Sequence, residues 1–122
     1  MLLLKRAYED PDEEDGKRYL VERLWPRGVS KDEAQLDDWL KELAPSNGLR
    51  RWYGHDTAQW EEFRKRYEEE LREKEALLER VAREAQAGPV TLVFAARDVE
   101  HSSARVLKEF LEREYMSHER GT

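Results

Sequence analysis

The hydrophobic pattern of the chain is organised around six consecutive apolar or β-branched residues, Val90 to Ala95, between Gly88-Pro89 and Arg97-Asp98. A run of this length without polar alternation predicts a strand covered on both faces. Polarity then reverses. Arg97, Asp98, Glu100, His101, Ser102 and Ser103 fall within seven residues, and helical spacing of Ala104, Leu107, Phe110 and Leu111 follows. In open α/β sheets ligands bind beyond the carboxyl ends of the strands, so this polar turn is the first place to look for a site.

Taken in order, the pattern predicts strands near 2–8 and 19–25, the second ended by Pro26, which lacks a ladder donor. Between them Glu9 to Gly16 reads as a solvated acidic loop. Ser30 can cap a short helical turn through Ala34, and Ser46 or Asn47 a short helix through Tyr53 closed by Gly54. Leu36, Trp39, Leu40 and Leu43 fall at i, i+3, i+4 and i+7, which is helical spacing. Asp56 and Gln59 form a capping-box pattern that opens the longest element, a helix near 57–87. Its stripe of Trp60, Phe63, Tyr67, Leu71, Leu78, Val81 and Ala85 weakens at Lys74-Glu75, where a bend or break is expected. A last helix is predicted over 103–115. Residues 117–122, including His118, read as a frayed tail with no role.

Composition narrows the picture. At 122 residues the chain fits one domain, 1–116, and cannot hold two cores. Charged residues reach 41%, yet four Trp and five Tyr in periodic segments argue for a packed protein. The lack of Cys removes disulfides, thiol nucleophiles and thiolate metal sites. No apolar run approaches a membrane span, so a cytoplasmic protein is expected. The net charge of -6 disfavours nucleic-acid binding through the surface as a whole.

Four stretches taken together are specific: Val21 to Gly28 (VERLWPRG), Lys41 to Ser46 (KELAPS), Arg51 to Asp56 (RWYGHD) and Val90 to Ala104. In that order and spacing they resemble the YeaO-like branch of the domain of unknown function 488 family. The resemblance implies a single small α/β domain with a mostly parallel or mixed sheet of about four strands and flanking helices. It brings no established activity. It also implies that 37–43 is a strand leading into the Pro-Ser turn, against the helical spacing, and the strand reading is adopted. Family members usually carry asparagine after the histidine of the last motif, where this chain has Ser102 and Ser103.

The candidate chemistry follows from residue types. Arg23 and Arg27 flank Trp25-Pro26 at a strand end, where guanidinium groups could grip a phosphate or carboxylate. Arg50, Arg51 and Arg105 read rather as surface ion pairs. His101 would be the acid or base and Asp98 its orienting partner, a candidate catalytic pair. Ser46, Arg51, Trp52, His55 and Ser103 complete the candidate ligand-binding set with Arg23, Trp25 and Arg27. The histidines lack paired metal-ligand spacing, and neither a nucleophile elbow nor a glycine-rich phosphate loop is present, so no metal or cofactor is assigned. The turn at 25–28, the segment 51–55 and the turn at 98–103 are expected to meet around one cleft for a small anion. The alternative is a binding module for nucleic acid or a protein, built on Trp25, Arg27, Arg51 and Trp52.

Overall fold

The computed structural model describes residues 1–116; the expected tail, 117–122 with His118, lies outside the described residues. The strands are β1 (Leu2–Arg6), β2 (Lys17–Leu20), β3 (Asp38–Trp39) and β4 (Val90–Phe94). They form one parallel sheet in the order β1-β4-β2-β3. The helices are α1 (Lys31–Ala34), α2 (Asn47–Tyr53), α3 (Trp60–Leu71), α4 (Glu75–Ala87) and α5 (Ser103–Leu111). β4 lies between β1 and β2 and is buried at every residue, as its unbroken apolar run requires. No helix among the described residues is long and apolar enough to cross a membrane.

The two faces of the sheet are covered differently. On one, Leu2, Tyr19, Val90, Leu92 and Phe94 join a core with side chains of α2 to α5, among them Phe63, Tyr67, Leu107 and Leu111. Trp60, expected in that core, is only partly buried at its edge. On the other face a smaller cluster of Ala7, Leu20 and Val93 is closed by Trp25, Val29, Leu36 and Trp39. Beside it, the acidic loop is not wholly solvated. Asp15 turns inward and binds both Lys5 (3.1 Å) and Arg18 (2.7 Å). Gly16 makes that turn with φ of 63°, and a Cβ there would stand 2.1 Å from the Pro89 carbonyl oxygen.

Three expectations are corrected. β2 ends at Leu20 rather than Trp25, because the Glu22 carboxylate, not a backbone carbonyl, accepts the Ala95 N–H (2.8 Å) and closes the ladder. Residues 37–43 are neither helix nor full strand: β3 has two residues, and a 3-10 turn over Lys41–Leu43 follows. Their helical spacing is accidental, since Leu36 and Trp39 face the smaller cluster while Leu40 and Leu43 enter the main core. The break expected at Lys74-Glu75 is present, and it divides the long helix into α3 and α4. Glu73 and Lys74 donate to Glu70 and Leu71 in tight turns, in a stretch with no apolar side chain to bury. The Asp56–Gln59 box does not close: Asp56 caps Ala58, but the Gln59 amide donates to the Trp52 and Tyr53 carbonyls. β1 stops two residues short of the predicted strand and β4 one residue short, and α5 gives way at Glu112 to a π-helical turn.

Candidate functional site

Parallel strands send their carboxyl ends to one edge of the sheet, and there the connecting loops are tied to one another. The Arg6 guanidinium donates to the Ala95 and Ala96 carbonyls (3.1 and 3.0 Å), and the Tyr8 hydroxyl to the Arg27 carbonyl (3.1 Å). Arg23 donates to the carbonyls of Ala44 and Pro45 (3.1 and 3.2 Å), and the Tyr53 hydroxyl to that of His101 (3.1 Å). The loops so fixed enclose a cleft of about 380 Å³. That is within the range of small-ligand sites.

Cationic and titratable groups gather in its walls. Arg23, Arg27, Arg50, His55 and His101 line it, with Glu22 as the only acidic residue among the described lining residues. Arg50 belongs to α2, whose first turn is capped by Ser46 and whose last is closed by Gly54 in the left-handed region. His55 follows, also at positive φ (60°), so the turn delivers it to the cleft. The Arg50 Nε is buried with no hydrogen-bond partner, while its Nη2 reaches only the Asn47 side chain at 3.3 Å. Arg27 is exposed and its guanidinium makes no hydrogen bond or ion pair with the described residues. Burial pushes the Glu22 carboxyl above the usual range, although the Ala95 N–H and the neighbouring His55 and Arg50 pull it back.

At the β4 exit, the turn 98–102 is held by Asp98. Its carboxylate meets the His101 ring Nδ1 at 2.8 Å and accepts the His101 backbone N–H at 3.2 Å. The bond from His101 holds the Asp98 carboxyl below its ordinary value. The ring stands edge-on to Trp60, with centroids 5.1 Å apart. Ser102 caps α5 by accepting the Arg105 N–H, and Ser103, the first residue of α5, lines the cleft.

The sequence-predicted set therefore divides. Arg23, Trp25, Arg27, His55, His101 and Ser103 line the cleft, and the three expected segments each contribute to it. Asp98 reaches it only through His101. Ser46 is elsewhere, in a smaller groove, where Glu70 accepts both its N–H and its hydroxyl. Arg51 and Trp52 are exposed outside the lining, with Trp52 beneath the Arg66 guanidinium at 4.3 Å. Arg105 pairs with Glu100 and Glu109 as expected of a surface arginine. Sequence reasoning missed Glu22 as a lining group and set Arg50 aside as a surface pair. Glu22 had a signal: a carboxylate one residue past a buried apolar run has a high cost unless it meets a specific partner.

Comparisons with known proteins agree along the chain. The family model described as "Inactive DUF488-N3 subclade" matches residues 1–122. An uncharacterised protein of Mycobacterium tuberculosis is 44% identical over 106 residues, covering 87% of this chain and 89% of the relative. The uncharacterised protein YeaO of Escherichia coli is 38% identical over 107 residues, covering 88% and 93%. No solved structure matches. The carboxyl-edge cleft thus sits in a YeaO-like fold, and the chain belongs to the DUF488 family.

Proposed function

We propose that the carboxyl-edge cleft binds a small anion, a phosphate or carboxylate, and holds it without turnover. One observation carries this reading: Arg50 lines the cleft while its buried Nε has no hydrogen-bond partner among the described residues. A charged donor left unsatisfied in a buried setting is costly, and an anion in the cleft would satisfy it. Arg27 adds a guanidinium that bonds no described residue, and His55 after α2 and His101 at the β4 exit also line the cleft. The first turn of α5 favours negative charge beside Ser103. The description of the matched subclade as inactive supports binding over catalysis.

The Asp98–His101 pair favours a second reading, general acid/base chemistry, because Asp98 fixes the ring as an orienting carboxylate does. The nucleic-acid reading has less support. Trp25 spends its indole N–H on the Val29 carbonyl and packs edge-on to Trp39, so it is engaged in the fold rather than offered for stacking. Isothermal calorimetry with inorganic phosphate and with acetate tests the proposal. Saturable binding of either by the parent protein, lost in Arg27→Ala and Arg50→Met without loss of folding, supports it. Equal binding by all three proteins, or none by the parent, refutes it.

A further inference from the structure

Arg50, Arg27 and the histidines explain why an anion would enter the cleft, but they leave Glu22 unexplained. A carboxylate among anion-binding groups repels the ligand it helps to enclose, and removing it would strengthen binding of a simple anion. Nor does the fold demand both of its oxygens. Oε2 accepts the Ala95 N–H and ends β4, while Oε1 accepts no hydrogen bond from the described residues. Glu22 nevertheless lines the same cleft as Arg50 and His55 and is close enough to both to feel their charge. An ionised carboxylate only accepts hydrogen bonds.

We infer that Glu22 selects the ligand: the cleft takes a small anion that also carries a hydroxyl donor, with the charge toward Arg27 and Arg50 and the donor toward Glu22. This rests on the anion-binding reading and narrows its ligand class to hydroxylated phosphates or carboxylates. The polarity matches on both sides. Guanidinium donors meet the anionic group, and Glu22, the one acidic residue among the described lining residues, meets the hydroxyl. The volume of about 380 Å³ leaves room for more than a bare anion. An analogue without the hydroxyl would leave the carboxylate desolvated, unpaired and repelled, which is how polar sites reject the isostere lacking a donor.

Two matched pairs test this by calorimetry at pH 8: glycerol 3-phosphate against n-propyl phosphate, and lactate against propionate. The hydroxylated member of at least one pair should bind about tenfold or more tightly to the parent protein. Which pair shows the preference tells phosphate from carboxylate. In Glu22→Gln, whose amide keeps an acceptor for Ala95 but loses the charge, the preference should collapse because the hydroxyl-free anion binds more tightly. Equal affinities within both pairs would overturn the inference while leaving anion binding intact. So would a preference that survives in folded Glu22→Gln. If none of the four probes binds the parent protein, the anion-binding reading itself fails. The preference in the parent protein stands as a test even if Glu22→Gln does not fold.

Discussion

Arg18 and Arg50 are both arginines set into the walls of the same small fold, and they are treated in opposite ways. Arg18 is closed. Its Nη1 binds Asp15 at 2.7 Å, its Nη2 the Ala34 carbonyl at 2.7 Å, and its Nε the Ala34 and Gln35 carbonyls at 3.0 and 3.2 Å. Lys5 reinforces Asp15 from β1, so loop, β2 and α1 are held on one face of the sheet. Arg50 is open, with a buried Nε that has no partner and one long bond to Asn47. The difference teaches how to separate structural from functional charge here. Arg18, with all three guanidinium nitrogens bonded, holds the fold together, whereas Arg50, which lines the cleft, keeps a nitrogen that no described residue bonds.

The comparison can be broken from either end. The largest effect should come from Asp15→Asn, which leaves the buried Arg18 without its counter-charge and should cost about 3–5 kcal/mol in denaturant unfolding. Gly16→Ala should follow at about 1–3 kcal/mol, since the new methyl must adopt positive φ and displace the Pro89 carbonyl. Arg50→Met should stay within about 0.5 kcal/mol of the parent or exceed it, because it removes an unsatisfied donor and only one long, exposed bond to Asn47. If Arg50→Met destabilises as Asp15→Asn does, the contrast between the two arginines is wrong.

Acid titration sharpens the same contrast by sign. Burial alone would raise Asp15, but bonds from the Asp12 backbone, Lys5 and Arg18 hold its carboxyl below the usual range. A depressed folded value stabilises above the unfolded one, so this contribution is intact above about pH 4 and lost as the pH falls through the folded value. Glu22 runs the other way. Its raised folded value makes the ionised form a burden, so stability should rise as the pH falls from that value toward about 4. Melting temperature against pH should therefore fall less steeply on the acid side in Asp15→Asn than in the parent, and gain less on acidification toward about pH 4 in Glu22→Gln. Unchanged profiles in both variants would contradict these assignments.

Much of this was legible in the sequence because the signals were local. The β4 run, the Ser30 cap, a cap at Ser46 or Asn47 and the weak point near Lys74 are written in adjacent residues, and the fold places them nearly where the pattern does. The segment 36–43 was not, because its four apolar residues divide between the main core and the smaller cluster on the other sheet face, which no single period can express. Asp15 was hidden for a related reason. Five acidic residues precede it in a loop that looks uniformly solvated, and only the position of Arg18 on the adjacent strand, beside Thr91 of β4, selects this one for burial. The cleft was legible as a meeting of three turns but not in its chemistry. Which arginine is spent on carbonyls, as Arg23 is, and which is left open depends on contacts across the chain.

The most direct measurement follows the arginine Nε–H resonances by two-dimensional NMR while inorganic phosphate is added. The Arg50 resonance, assigned through Arg50→Met, should move saturably as its unpartnered donor is engaged. That of Arg18, already bound to carbonyls, should stay in place. If Arg50 does not move, or if it moves no more than Arg18, the cleft is not an anion site and the open arginine has no ligand of this kind.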